Sequence, residues 1–203
     1  FFTNVAHEIR TPLTLINGPL ENILLKKTVD PEIREDLNIM KQNTERLLSL
    51  TNQLLDFRKT ESQGFRLNFA ECNVTEVLKE TYNRFTSLAR QRELDFVLNV
   101  GEQDFYAHVN KEAFTKIVSN LLNNAVKYAE TYVHVFLEMN GIGEKRMFYI
   151  RTVNDGVIIP NEMKEEIFKP FVRFNEKEDG KVTTGTGIGL ALSRSLAELH
   201  QGS

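Results

Sequence analysis

The sequence predicts two parts: an all-α helical hairpin that forms a dimeric four-helix bundle, and a following α+β sandwich domain. Two consecutive stretches repeat apolar residues at alternating steps of four and three, with a short break at residues 28–30 between them. After residue 64, stretches with strand-like alternation are mixed with helical stretches, without strict alternation of the two. We predict domain bounds of 1–61 and 65–203, and a sandwich made of one sheet with helices on one face.

The bulk composition is that of an ordinary soluble globular protein. Of the 203 residues, 41% are hydrophobic and 26% are charged. The net charge of -3 argues against a nucleic-acid partner, and one cysteine, Cys72, cannot form a disulfide framework. No apolar run is long enough to span a membrane, so we expect no membrane contact by this piece. Because the apolar pattern is already under way at Phe2, we expect a fragment of a longer protein.

The first helix is predicted from Phe1 to about Lys27. His7 lies one residue past an apolar position, Glu8 is next to it, and Thr11 lies one turn further on. Pro12 should kink the helix. A surface histidine beside a glutamate is usually a solvated pair, so spacing alone does not make His7 a site. The apolar repeat consists of Phe2, Ala6, Ile9, Leu13, Ile16, Leu20 and Ile23.

The second helix is predicted to begin with Asp30 as N-cap and Pro31 at its first position. One hairpin cannot bury two such wide apolar stripes, so we predict a homodimer. The alternative is a monomer in which the second domain covers the stripe. The apolar repeat consists of Ile33, Leu37, Met40, Thr44, Leu47, Thr51 and Leu54.

A polar linker at residues 59–64 leads into the second domain. Asn73 and Asn110 are predicted N-caps of helices. We predict strands at 65–69, 94–100, 105–109, 132–139 and 146–153, helices at 73–92, 111–129, 162–167 and 187–200, and a mobile loop at 171–184.

Three motifs in this domain carry chemistry. In NLLNNAVKY, the amides of Asn120 and Asn124 share a helical face with Lys127 and Tyr128, which suits Mg²⁺, phosphates and a stacked base. An ordinary amphipathic helix would show the same pattern. NDGVIIP, residues 154–160, alone is only a turn. GTGIGLAL brings Gly185, Gly187 and Gly189 to a helix entry where backbone N–H groups can bind an anion, which alone is weak evidence.

In this order, five motifs resemble those of the sensor histidine kinases of two-component signalling. NVAHEIRTPL is similar to their H box, NLLNNAVKY to the N box, NDGVIIP to the first glycine box, IFKPFVRF to the F box, and GTGIGLAL to the second glycine box. The resemblance covers nearly the whole chain. It implies a dimerisation and histidine-phosphotransfer hairpin, followed by an ATP-binding domain of the Bergerat type.

The resemblance also implies roles for single residues. His7 matches the phosphoacceptor, Glu8 the carboxylate that bonds the ring and takes its proton, and Thr11 a position needed for phosphatase activity in some relatives. Asn124 matches the Mg²⁺ ligand, and residues 171–187 match the ATP lid. The implied ATP-binding set is Asn120, Asn124, Lys127, Tyr128, Asn154, Asp155, Gly156, Gly185, Thr186, Gly187 and Gly189.

The first glycine box departs from the family pattern. Alignment on Pro160 places Asn154 where an adenine-reading aspartate is usual, and Ile158 where a second glycine belongs. The other register would give Asp155 that role but misplace Gly156 and Pro160. For that reason we prefer the first register. The departure bears on adenine recognition and leaves ATP binding as expected, because an Asn carbonyl can still accept a bond from the adenine amino group. The chain stops shortly after His200, where members of the family add a final pair of strands, so we expect those strands to be missing from this fragment.

The activity implied is transfer of the ATP γ-phosphoryl group to His7 and then to an aspartate of a response regulator, whose receiver domain is separate or fused. Some relatives also dephosphorylate the regulator. The resemblance further implies a cytoplasmic fragment of a membrane-anchored sensor. One alternative is a dimeric pseudokinase scaffold, which only the altered glycine box supports. ATPases of the gyrase and heat-shock branch share the nucleotide fold but lack the His7 hairpin.

Overall fold

A computed structural model describes residues 2–25, 30–61, 66–140, 147–174 and 186–203, with the side chains of the first helix from Ile9 onward. It confirms a helical hairpin followed by a mixed α/β domain. The helices are α1 Phe2–Leu24, α2 Pro31–Glu61, α3 Val74–Asn83, α4 Thr86–Gln91, α5 Lys111–Tyr128 and α6 Gly189–Leu199. The strands are β1 Ala70–Asn73, β2 Asp95–Asn99, β3 Tyr106–Val109, β4 Tyr132–Asn140 and β5 Met147–Asn154.

The hairpin packs α1 against α2 in antiparallel register. Arg10 Nη2 donates to Asn52 Oδ1 over 2.5 Å, and Lys41 Nζ lies 3.6 Å from Glu21 Oε1. The three predicted N-caps are confirmed, because the side chains of Asp30, Asn73 and Asn110 accept backbone hydrogen bonds from Glu32, Glu76 and Ala113 at 2.9, 3.0 and 2.9 Å.

Each hairpin helix buries only part of its apolar repeat, as far as the side chains are described. Leu13 and Leu20 of α1 and Thr44 and Thr51 of α2 are buried. A second set recurs every seven residues and is 39–56% exposed; it comprises Ile9, Ile16, Ile23, Ile33, Met40 and Leu47. We call these six residues the open seam. The described part of the second domain leaves these six side chains exposed.

The second domain holds two sheets, where the sequence predicted one. Strands β2 and β4 are parallel and β4 and β5 antiparallel, while β1 and β3 form a separate antiparallel pair. The inner face of β4 presents Val133, Val135 and Leu137 to the core, where α5 adds Val118 and Leu122. This core holds α5 rigidly across the sheet.

Two element predictions were wrong. Residues 66–69 form no strand, because Leu67 packs with α6 and the Phe69 ring lies edge-on to His200 at 5.2 Å. The helix predicted over 73–92 is two helices, α3 and α4. The chain turns at Arg84 with i→i−3 hydrogen bonds, and Phe85 packs against the core there.

The remaining differences are small. The predicted helix at 162–167 consists of two short 3₁₀ turns, Asn161–Met163 and Glu166–Phe168, and the last helix begins at Gly189 instead of residue 187. The loop predicted at 171–184 lies mostly outside the described residues.

Candidate functional site

A cavity of about 580 Å³ lies between α5, the start of α6, the end of β5 and the outer side of α2. Most of the residues singled out from the sequence meet there, although they are far apart in the chain. The lining includes Asn120, Asn124, Lys127, Tyr128, Asn154, Thr186, Gly187 and Gly189.

Helix α5 supplies one wall because Asn120, Asn124 and Lys127 recur at helical spacing on the face opposite the core. The Asn120 amide donates to Gly189 O and to Ser193 Oγ, both at 3.1 Å, which ties α5 to the start of α6. Lys127 Nζ donates to Tyr128 Oη over 3.0 Å and lies 4.5 Å from the centre of that ring. The side chain of Asn124 lines the cavity beside them.

Two glycines of the motifs are required by geometry. Gly187 has a φ of +70°, and a Cβ there would lie 2.8 Å from the backbone of Phe171. A Cβ on Gly156 would lie 1.9 Å from the carbonyl oxygen of Tyr128. Any side chain at either position would therefore displace the backbone that shapes the cavity.

Asn154 and Asp155 point to different partners. Asn154 lines the cavity, whereas the lining does not include Asp155. The Asp155 carboxylate accepts bonds from the backbone N–H groups of Glu130, Thr131 and Tyr132 at 2.9–3.2 Å, and from the Thr131 hydroxyl. Asp155 therefore joins the end of β5 to the start of β4.

These hydrogen bonds make Asp155 a strong acid. The Thr131 hydroxyl, and then the backbone N–H groups of Thr131, Tyr132 and Glu130, hold the pKa of this carboxyl well below its ordinary value, against the opposing effect of partial desolvation. The carboxyl is consequently ionised at neutral pH, and each of its described partners donates a hydrogen bond to it.

Sequence reasoning missed the wall that α2 contributes. Arg46, Ser49 and Gln53 follow one another at steps of three and four, so they share a helix face, and all three line the cavity. The same pattern is expected of any solvated helix face. These three residues differ from a solvated helix face only because the second domain docks against them.

Several contacts hold the second domain against α2. The Thr186 hydroxyl donates to Gln53 Oε1 over 2.7 Å, and Lys116 Nζ lies 2.8 Å from carboxylate oxygens of both Asp56 and Glu112. Partial burial lowers the pKa of Lys116, but these two carboxylates outweigh it and raise the pKa above the ordinary value. An apolar cluster lies alongside, formed by Phe57, Leu67, Ala113, Ile117, Leu192, Leu196 and Leu199.

The cavity is electropositive. Its lining contains three cationic side chains, Arg46, Lys127 and Arg173, and no carboxylate among the described residues, although the whole chain has a net charge of -3. A concave site with amides, cations and a glycine-bordered helix start suits a polyanionic ligand such as a nucleotide.

Some predicted site residues lie outside what the structure describes. His7 and Glu8 belong to α1, but their side chains are outside the described residues, as is Gly185. Thr11 is exposed on α1, away from the cavity lining. Because α1 and α2 are antiparallel and Arg10 lies opposite Asn52, the residue three positions before Arg10 lies opposite the residue three positions after Asn52. His7 is therefore at the same height along the hairpin as Leu55. The His7 level is thus two residues, or about 3 Å along the axis, from Gln53 in the cavity wall.

Comparison with known proteins agrees with this arrangement. Residues 1–63 match the model of the His Kinase A (phospho-acceptor) domain, and residues 109–203 match that of the histidine kinase-, DNA gyrase B- and HSP90-like ATPases. Fold and site thus define a phosphoacceptor hairpin joined to an ATPase-type nucleotide domain. The chain belongs to the histidine kinases and comprises the two-domain core of that family.

Curated relatives match over the whole chain. It is 33% identical over 205 residues to a histidine kinase of Formosa agariphila and 32% identical over 209 residues to Hybrid signal transduction histidine kinase D of Dictyostelium discoideum. It is 29% identical over 203 residues to the sensor histidine kinase WalK of Bacillus subtilis. The chain spans only 15%, 13% and 33% of these three relatives.

Solved structures share the fold. Full-length ShkA in complex with AMPPNP aligns with a TM-score of 0.78 at 24% identity, covering the whole chain and 41% of ShkA. The histidine kinase ThkA in complex with the response regulator protein TrrA aligns with a TM-score of 0.55 at 27% identity, covering 84% of this chain and 49% of ThkA. Within the described ranges, none of the helices has the length and apolar character that crossing a bilayer requires.

Proposed function

We propose that this chain is an ATP-dependent protein-histidine kinase that phosphorylates its own His7 and passes the phosphoryl group to an aspartate of a response regulator. The observation that carries the proposal is the position of the electropositive cavity. Helix α2 forms one wall of this cavity. Gln53 in that wall lies about 3 Å, measured along the helix axis, from the height of His7. A nucleotide bound there would present its phosphates towards the hairpin that holds the acceptor.

The cavity residues divide into a phosphate end and a base end. Asn120, Thr186 and Gly189 surround the start of α6, where backbone N–H groups and the helix dipole favour phosphate. Tyr128 and Asn154 lie towards the end of β5, with Val157 and Ile159 as apolar neighbours suited to a base. In this arrangement Asn154 reads the adenine amino group, and Asp155 holds the strand end in place.

A magnesium ion would be held by Asn124 together with phosphate oxygens and water. No group of three or more His, Cys, Asp or Glu residues gathers to bind a metal in the described part of the chain. Mg²⁺ commonly binds through one protein oxygen plus substrate phosphates, so the amide oxygen of Asn124 fits this use. An ion bound there would neutralise charge on the phosphates during transfer.

The chemical step is in-line displacement at the γ-phosphorus. A ring nitrogen of neutral His7 forms a P–N bond while the bond from the γ-phosphorus to the β,γ-bridging oxygen breaks, and ADP leaves with that electron pair. Glu8 hydrogen-bonds the other ring nitrogen, fixes the tautomer and accepts its proton. A carboxylate oxygen of the regulator then attacks the phosphorus. The P–N bond breaks and its electron pair returns to the ring nitrogen, so an acyl phosphate forms and His7 is restored.

The open seam supports a homodimer. Its six apolar residues lie on both helices of the hairpin at seven-residue intervals, which is the spacing of a helix-packing surface. The cavity-facing residues Arg46, Ser49 and Gln53 lie on the other side of α2, so both surfaces can be used at once. Two hairpins joined along the seam form the four-helix bundle that the sequence predicts.

We further propose that the chain acts on the cytoplasmic side of a longer, membrane-anchored sensor. Support comes from the family resemblance and from the small share of its relatives that the chain spans. The partner is a receiver domain, separate or fused, and ThkA provides a relative bound to a response regulator.

Labelling with ATP tests the kinase proposal. The purified chain is incubated with Mg²⁺ and ATP carrying the label on either the γ- or the α-phosphate. The proposal expects γ-label alone to enter the protein, in a form that is lost in acid and stable in base, as a phosphoramidate is. Nucleotide binding without any labelling would instead favour the dimeric scaffold that binds a regulator and transfers nothing.

A further inference from the structure

The outer face of α2 forms part of the nucleotide cavity, although α2 belongs to the hairpin. Arg46, Ser49 and Gln53 line the cavity together with residues of α5 and α6. Ser49, Gln53 and Asn120 also line a second hollow between α2 and α5. They consequently mark the boundary where the hairpin meets the α5–α6 end of the cavity.

The α2 wall is fixed at this end by a specific hydrogen bond. Thr186 donates to Gln53 Oε1 over 2.7 Å, and the same hydroxyl oxygen accepts from the N–H of Ile188 at 3.1 Å. Ile188 immediately precedes α6, whose start is the expected phosphate end. The side chain of Gln53 therefore holds α2 next to the place where phosphates would bind.

Arg46 is the cation that α2 brings into this cavity. Lys127, on α5, already interacts with the hydroxyl and ring of Tyr128. The guanidinium of Arg46 forms no ion pair or hydrogen bond with any described residue, and the adjacent carboxylate, Glu45, lies 3.8 Å from Lys41 instead. An arginine bordering a cavity that lacks carboxylates is suited to bind phosphate oxygens in a forked geometry.

We propose that α2 completes the nucleotide site and that Arg46 binds the phosphate tail of the nucleotide when the two domains are docked. The inference rests on the proposed binding of ATP in this cavity. Nucleotide affinity then depends on the hairpin: binding of the phosphates stabilises the docked arrangement of the two domains, and docking strengthens binding of the phosphates. A bound triphosphate then holds the ATP-binding domain at the level of His7.

Binding measurements on the whole chain test this proposal. Displacement of a fluorescent ATP analogue by ATP and by adenosine is measured for the wild type, Arg46→Gln, Arg46→Lys and Arg58→Gln. Arg58 is the matched control, because it lies on α2 and is paired with Glu61 at 3.0 Å outside the cavity lining. Melting temperatures verify that each variant is folded.

The proposal expects Arg46→Gln to weaken ATP binding by about fivefold or more, with adenosine binding unchanged, because only the phosphates lose a partner. Arg46→Lys should recover part of the loss, and Arg58→Gln should match the wild type. Equal ATP-to-adenosine ratios in Arg46→Gln and Arg58→Gln would overturn the role of Arg46 while leaving the kinase proposal intact. A folded wild type that binds no ATP would overturn both.

Discussion

Asn154 and Asp155 are adjacent at the end of β5, yet Asn154 lines the cavity while the Asp155 carboxylate is bound to the Glu130–Tyr132 segment. This arrangement agrees with the register in which Asn154 occupies the base-reading position. An amide can rotate to offer either an oxygen or an NH₂ group, whereas a carboxylate only accepts hydrogen bonds. The two residue types should therefore treat adenine and guanine differently.

We predict that Asn154→Asp sharpens discrimination of ATP from GTP by several-fold, on the order of 1 kcal/mol, because a carboxylate repels the guanine carbonyl oxygen. Competition binding of both nucleotides measures the affinity ratio. Asn123→Asp is the control for added negative charge, since Asn123 also lines the cavity. An unchanged ratio in Asn154→Asp, or the same change in both variants, would show that Asn154 does not read the base.

Asp155→Asn should destabilise the fold in a pH-dependent way. Folding lowers the pKa of this carboxyl below its ordinary value of 3.8, so its stabilising effect is fully present above about pH 4 and is lost as the pH falls further. The variant should melt below the wild type at pH 7, and the gap should narrow below about pH 4. Thermal melts of both proteins from pH 3 to 7 provide the test, with the exposed Asp36→Asn as control. A gap that stays constant with pH would contradict this role.

Met40→Lys should weaken the dimer. Met40 belongs to the open seam and is 51% exposed in the single chain, so in the bundle a lysine there would bury two charges per dimer. We expect the dissociation constant to rise by about tenfold or more, measured by sedimentation equilibrium. Gln42→Lys is the control, because it adds the same charge at an exposed position on another side of α2 and should leave the dissociation constant unchanged. Equal effects of the two variants, or a monomeric wild type, would argue against the seam as the interface.

Thr11→Ala should leave phosphorylation of His7 largely intact and slow removal of the phosphoryl group from a receiver domain that the chain has labelled. Thr11 lies one turn from His7 on α1 and can orient a water molecule, but the histidine ring does not need it for attack. Release of phosphate from the labelled receiver is followed over time. Thr14→Ala is the control, because the Thr14 hydroxyl bonds Arg10 O of its own helix at 3.0 Å. Identical release rates in both variants would exclude a role for Thr11.

Short-range signals in the sequence were sufficient to predict the positions of most helices and strands. The caps at Asp30, Asn73 and Asn110 are short-range chemistry, and each marked a helix start correctly. Strand β1 was misplaced because its position depends on pairing with β3, where Glu71 faces His108, more than 30 residues away. The break after α3 depends on Phe85 reaching the core, which no glycine or proline announces.

In the candidate site, too, features within one motif could be predicted from the sequence, whereas features that depend on distant segments could not. Helical spacing placed residues within one motif, such as Asn120 and Asn124, on one helix face, and both line the cavity. Asn154 lines the cavity and Asp155 does not, because the backbone N–H and the hydroxyl of the distant Thr131 donate hydrogen bonds to the Asp155 carboxylate. The position of Arg46 in the cavity wall depends on how the two domains dock. Contacts between distant segments of this kind leave no periodic trace in a sequence.

The assignment of His7 as the phosphoacceptor is tested most directly by comparing His7→Gln with His108→Gln in ATP-dependent labelling. His108 is an exposed histidine of β3 and is the matched control. We predict that His7→Gln abolishes acid-labile labelling while ATP affinity stays within about twofold of the wild type, because the substitution leaves every residue assigned to the nucleotide, including Arg46 of the hairpin, unchanged. We expect His108→Gln to be labelled like the wild type. Full acid-labile labelling of His7→Gln would contradict the assignment of His7 as the phosphoacceptor.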